Sequence, residues 1–291
     1  MAIDYERLLA WKIPQTRHEY ALRDTIFYAL SVGFGADPED EAQVRYVYEK
    51  ALVAVPSMVT TLAAPGGWLR DPGTGVNSVG LLAAEQAFEI HRPLPVAGTL
   101  IGKSRVTEVA DLGKEHGAAI YTEREAYDAR TGELLFKARA TTVSRKDGGF
   151  GGPPRASRAK TVMPERAPDR VCDIPTPGNA ALLFRLHNPL DPHHPDHHAD
   201  LALVRAMGHA RPSLHGLYTL GVACHALLRM ACEYDAARLK SMAVRFSAPA
   251  YVGETLRTEI WRHDEGLLFQ CRVVERDKVV LSSGRATVGN A

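Results

Sequence analysis

The chain has 291 residues, 45% apolar and 24% charged, with a formal net charge of +1. That composition supports a real hydrophobic core. The near-zero charge gives no electrostatic drive toward nucleic acid or an anionic membrane.

The opening "MAIDYERLLAWKIPQ" lacks a basic stretch followed by an apolar run, so it does not read as a secretory signal. No apolar run approaches the roughly 20 residues of a membrane helix. The four cysteines, Cys172, Cys224, Cys232 and Cys271, form no CxxC pair, and two lie in an apolar helical stretch. Small buried thiols in a reduced, cytoplasmic protein are expected.

In "LRDTIFYAL", Asp24 reads as a cap for the helix that follows. "ALVAVPSMVTTLAA" reads as a second helix. "HRPLPVAGTLIGKSRVTEVADLG", "GAAIYTEREAYDA" and "GELLFKARATTVSR" then read as three strands, β-branched and bounded by Gly, Asp and Asn turns. The stretch Gly148–Arg170 is rich in Gly, Pro and Arg without apolar period, and reads as a linker between residues 1–147 and 171–291.

Beyond it, "FRLHNPLDPHHPDHHAD" (Phe184–Asp200) packs five histidines, three aspartates and three prolines into one loop. "HGLYTLGVACHALLRMACEY" follows, with apolar residues three and four apart (Leu217, Leu220, Ala223/Cys224, Leu227/Leu228, Ala231). It is apolar over most of its circumference, as a buried helix should be. "RFSAPAYVGETLRTEIWRHDEG", "LLFQCRVVERD" and "KVVLSSGRATVGN" close the chain as an antiparallel meander.

The two halves share their order. "PLPVAGTL" aligns with "PAYVGETL", and "ARATTV" with "GRATVG". Each half reads as one central helix wrapped by an antiparallel sheet. This predicts an α+β double hot-dog, its sheets joined edge to edge.

With "LRDTIFYALSVGFGA", "GGFGG", "ALLFRL", "RPSLHGLYTLG" and "RFSAPAYVGETL", the chain resembles, over nearly its whole length, the MaoC-like (R)-specific enoyl-CoA hydratases of the hydratase 2 type. The resemblance implies reversible addition of water to a trans-2-enoyl-CoA, with no cofactor and no metal. It implies one catalytic site, in the second half, and a first half that shapes the acyl tunnel. A homodimer or hetero-oligomer formed through the sheets is expected. An acyl-CoA thioesterase, or a non-catalytic acyl-CoA-binding subunit, are the alternatives.

The family's loop after Arg-Leu reads Ser-Gly-Asp-x-Asn-Pro-Leu-His-x-Asp-Pro, and here it departs. Counting forward from Leu186 places His194 and Asp196 on the His and second Asp, with Pro189 on the catalytic Asp and Asp191 on the Asn. Counting back from Gly208 places His198 and Asp200 on His-x-Asp instead. The imidazole–carboxylate pair is therefore to be found among His194, His198, Asp191 and Asp196. A solvated loop with no chemistry remains open. The spacing His193/His197 and His194/His198 also suits metal ligands on a helix, but Pro192 and Pro195 oppose one there.

A thioester enolate needs donors, and an uncapped helix N-terminus offers them. Gly216 is expected to open the buried helix and let the thioester approach its backbone. His215 is expected to orient the loop, and Arg245 to meet a CoA phosphate or pair with a carboxylate.

Overall fold

The computed structural model describes residues 3–156, 161–188, 196–264 and 266–289. Among the described residues ten strands form one antiparallel sheet: β1 (Thr16–Tyr20), β2 (Leu81–Ile90), β3 (Gly98–Asp111), β4 (Ala118–Asp128), β5 (Leu134–Ser144), β6 (Arg170–Pro175), β7 (Leu239–Phe246), β8 (Thr255–His263), β9 (Gly266–Val273) and β10 (Lys278–Val288). Their order is β1-β3-β4-β5-β2-β7-β10-β9-β8-β6. Read inward from each edge the two halves have the same topology, so the internal repeat suggested by "PLPVAGTL" and "PAYVGETL" is a structural one. The halves meet at β2 and β7, paired from Glu85↔Arg245 to Glu89↔Ser241. The sequence reading did not anticipate the two edge strands, β1 and β6.

The helices are α1 (Tyr5–Leu9), α2 (Leu22–Ser31), α3 (Glu41–Val44), α4 (Ala180–Phe184), α5 (Leu201–Ala206) and α6 (Gly216–Ala231). α6 fills the trough of the second repeat, and Tyr218 through Leu228 are all buried. The spacing of three and four predicted this helix because it needs an apolar surface nearly all round. Asp24 sits at the third position of α2 and accepts the Ala21 N–H at 2.8 Å, a reach-back cap.

The first repeat differs from expectation. "ALVAVPSMVTTLAA" forms no α-helix, only a 3-10 helix at Pro56–Thr60. Pro56 supplies no N–H, and Val53, Val55 and Val59 are β-branched. The hydroxyls of Thr60 and Thr61 turn back to the carbonyls of Ser57 and Met58, competing with helical bonding.

The segment after β5 crosses to the second repeat. Pro154 bridges to Asp111, and Arg155 pairs with Glu85 at 2.7 Å. The Trp261 indole N–H donates to the Arg166 carbonyl at 2.9 Å. All four cysteines are free and buried. Among the described residues no helix is long and apolar enough to cross a membrane.

α6 lies so close to α2 that a Cβ at Gly221 would stand 2.6 Å from Val32 Cγ1 and 3.2 Å from the Tyr28 hydroxyl. Gly221→Ala is expected to cost about 1–3 kcal/mol. In a chain of this size that lowers the melting temperature by roughly 2–4 °C per kcal/mol. Differential scanning calorimetry on the purified variant checks it.

Candidate active site

The start of α6 is held from both sides. Leu214 N–H donates to the Ala250 carbonyl at 2.7 Å, and Ser213 bridges to Tyr251. The turn carrying Ala250 is rigid for reasons visible in "VGETL". Gly253 adopts a left-handed φ of 84°. Glu254 is buried, accepts the Tyr251 N–H, and takes two bonds from Arg276 at 2.6 and 2.9 Å.

Among the described residues, the N-cap residue His215 gives α6 no side-chain cap. The first intrahelical bond is Thr219 N–H to the His215 carbonyl. The N–H groups of Gly216, Leu217 and Tyr218 therefore lack helical acceptors and carry the positive end of the helix dipole. Gly216 leaves room for something the sequence did not suggest. A Cβ there would meet the Phe246 ring at 2.9 Å, so the missing side chain also lets that ring lie against the helix start.

His198 faces this helix start. Its ring stacks on His215, centroids 3.6 Å apart and planes 25° apart. Its Nδ1 lies 2.8 Å from the Ser213 carbonyl oxygen. A carbonyl only accepts, so Nδ1 carries the proton and Nε2 keeps its lone pair. Asp196 Oδ1 accepts the His198 backbone N–H at 2.9 Å, and Oδ2 lies 3.3 Å from Arg185 Nε. Asp200 stands apart from this group: it caps α5, accepting from Ala202 and Leu203. That cap fixes the distance from His198 to Gly208.

One ligand atom each from Asp196, His198 and His215 lie within 4.8 Å of one another, all partly buried. Two hydrogen bonds of about 2.8 Å meeting at one oxygen span roughly 4.5 Å, so the space suits a water.

The charge states follow from burial. Desolvation first, then the neighbouring His197 ring, pushes His198 down to about 4, with the Ser213 carbonyl and Asp196 opposing. Desolvation and His198 push His215 down to about 3. Both rings are neutral at neutral pH. Burial works against the charge of Asp196, but the His198 N–H, the two imidazoles and Arg185 together hold it below the ordinary carboxylate value.

Of the expected site residues, the structure brings together Asp196, His198, His215 and Gly216. Arg245 lies elsewhere. It is exposed on β7, opposite Glu85 and Ser282, and strand alternation turns it to the sheet face opposite that of Phe246. His194 and Asp191 lie outside the described residues. Arg185 and the Ser213 carbonyl were not anticipated as site groups. The same is true of His187, which is partly buried between Phe27, Tyr28 and Phe184 with Nε2 3.0 Å from the Ser31 hydroxyl. The Arg-Leu pair ahead of the loop was the one signal for Arg185.

Residues 18–146 match the model of the MFE-2 hydratase 2 N-terminal domain, and residues 159–283 that of the MaoC-like domain. This chain belongs to the MaoC-like hydratase 2 family. It is 34% identical to the peroxisomal enoyl-CoA hydratase 2 of Arabidopsis thaliana, over 94% of this chain and 92% of that one. It is 30% identical to the enoyl-CoA hydratase ChsH3 of Mycobacterium tuberculosis, over 98% of each. The crystal structure of a MaoC-like dehydratase from Phytophthora capsici superposes with a TM-score of 0.84 at 30% identity, covering 98% of this chain and 99% of that one. Within the MaoC-like hydratase 2 family, the double hot-dog fold read from the repeats is the shared architecture.

Proposed function

We propose that this chain is an (R)-specific 2-enoyl-CoA hydratase, equally a 3-hydroxyacyl-CoA dehydratase in reverse. The observation that carries the reading is the neutral His198 and ionised Asp196, spaced for one water, beside the uncapped N-terminus of α6. The water oxygen adds to C3 while its proton passes to His198 Nε2. Charge develops on the thioester oxygen, which the N–H groups at the start of α6 receive. The imidazolium, stabilised by Asp196, returns a proton to C2, so one water adds across the double bond.

The second repeat, residues 171–291, holds this site, and residues 148–170 join it to a first repeat, residues 1–147, that accommodates the acyl group. A CoA thioester is the partner in catalysis. The four free thiols fit a reducing compartment, and we place the chain in the cytoplasm as a homodimer or hetero-oligomer joined through its sheets.

The test is the loss of enoyl absorbance in a panel of trans-2-enoyl-CoA substrates, with chiral analysis of the product. Formation of (R)-3-hydroxyacyl-CoA is expected. Release of free CoA thiol from saturated acyl-CoA, with no hydration, would assign a thioesterase instead.

A further inference from the structure

Three helices meet at the base of the loop that carries Asp196 and His198. α2 belongs to the first repeat, α4 and α6 to the second. α2 and α6 approach closely at Gly221, which has no side chain to hold Val32 and Tyr28 away. α2 also packs against α4. Tyr28 is fully buried, and its hydroxyl lies 3.1 Å from that of Ser57 in the 3-10 helix, so α2 is fixed within its own repeat as well.

The chain leaves α4 as Phe184-Arg185-Leu186-His187, and three of these four side chains are anchored. Phe184 is fully buried. Its ring lies 5.5 Å from that of His215 and, edge-on, 5.7 Å from that of Tyr218, which seats α4 on the start of α6. Arg185 reaches Asp196, 11 residues on, with Nε 3.3 Å from Oδ2. His187 turns to the first repeat. Its ring lies among Phe27, Tyr28 and Phe184, with centroids 4.9, 5.2 and 5.2 Å away. Its Nε2 stands 3.0 Å from the hydroxyl of Ser31, the last residue of α2. That hydroxyl spends its one proton on the Tyr28 carbonyl at 2.8 Å, so it accepts from Nε2–H and the imidazole is the donor. Ser31 is 3% exposed, a place where water does not readily replace a lost bond.

We propose that His187 is a positioning residue: through its bond to Ser31 it fixes the base of the loop to the first repeat, and Arg185 passes that placement on to Asp196. The proposal rests on the hydratase reading above, in which Asp196 and His198 hold the attacking water. α2 is then the common reference for both halves of the site. It touches α6, which carries the N–H donors, and the loop base, which leads to the carboxylate and the imidazole. The first repeat thereby shares in catalysis without placing a group against the reacting atoms. Such a site works only where its groups are held within about 0.5 Å of the productive geometry.

The experiment is a double-mutant cycle across the two repeats, read in kcat and KM for a trans-2-enoyl-CoA well below the melting temperature of every variant. Ser31→Ala should lower kcat roughly three- to tenfold and His187→Leu roughly ten- to a hundredfold, each with KM within about twofold. In the His187→Leu background Ser31→Ala should have almost no further effect, since the bond it removes is already gone. His187→Gln, which keeps an N–H near the Nε2 position, should recover most of kcat. Arg185→Met should lower kcat as His187→Leu does, and the two together should cost little more than either.

Effects of Ser31→Ala and His187→Leu that multiply independently overturn the proposal. A lower melting temperature with kcat unchanged overturns it too, and makes the contact structural alone. If His187→Leu does not fold, Ser31→Ala decides: a lower kcat at unchanged KM supports the proposal and wild-type kcat overturns it. Active wild type with indifferent variants overturns this proposal alone. No hydration by wild type overturns the hydratase reading and this one with it.

Discussion

Replacing His198 by Gln is expected to lower kcat for hydration by roughly 10²–10⁴-fold, the usual contribution of a positioned acid–base group, with little change in KM. Gln keeps an N–H for the Ser213 carbonyl, so the loop should hold its shape while the lone pair at Nε2 is lost. Stopped-flow or steady-state hydration of one enoyl-CoA checks it. The wild-type pH profile offers an independent readout. Because burial holds His198 at about 4, kcat/KM should be flat between about pH 6 and pH 8, with its acid limb well below the 6.5 of free imidazole. Full activity in His198→Gln would move the base into residues 189–195, where Asp191 and His194 lie.

The second large effect is on stability in acid. Among the described residues burial pushes four imidazoles far below 6.5, His187, His198 and His225 to about 4 and His215 to about 3, and lowers His18 as well. Between those values and 6.5 the unfolded chain binds protons that the folded chain does not, so stability falls as pH falls through that window. One pH unit below 6.5, His225 alone withdraws about 1.4 kcal/mol. Counting half for the three rings that keep some solvent contact brings the set to about 3.5 kcal/mol, a large share of a typical 5–15. Urea unfolding at pH 7 and pH 5.5 should show that loss. His225 is 3% exposed and stacks on Phe34 at 3.8 Å. Replacing it by Leu should reduce the slope of stability against pH, even where absolute stability also drops. An unchanged slope would mean that the ring takes up its proton over the same pH range folded and unfolded.

Much of this architecture was legible from residue order. α6 announced itself because a helix buried on nearly every side needs apolar residues at nearly every position. The two meanders did so because strands bounded by Gly, Asp and Asn turns leave a regular signature. The 3-10 helix at Pro56–Thr60 was not legible as such, since an apolar run does not say whether its backbone bonds i to i−4 or i to i−3. Pro56, which brings no N–H, opens the shorter helix.

The loop Phe184–Asp200 gives two answers because counting from Leu186 and from Gly208 disagree across it. The count from Gly208 reaches His198, which stacks on His215, while Asp200 of the same count caps α5. The stacking of His198 on His215 and the Ser213 carbonyl contact depend on the β-turn at Ala250–Glu254, distant in sequence, and no local pattern encodes them. The place of Arg245, opposite Glu85 and Ser282 in the sheet, comes from strand register that the residues around it do not encode.

The seam between β2 and β7 has an evolutionary consequence. Where two identical subunits build such a sheet, every substitution is printed twice, and a change that widens one trough must widen its twin. Here a single polypeptide supplies both halves, so one carries a five-residue 3-10 helix where the other carries the sixteen residues of α6. Asymmetry of this kind lets the two troughs drift apart without either compromising the other.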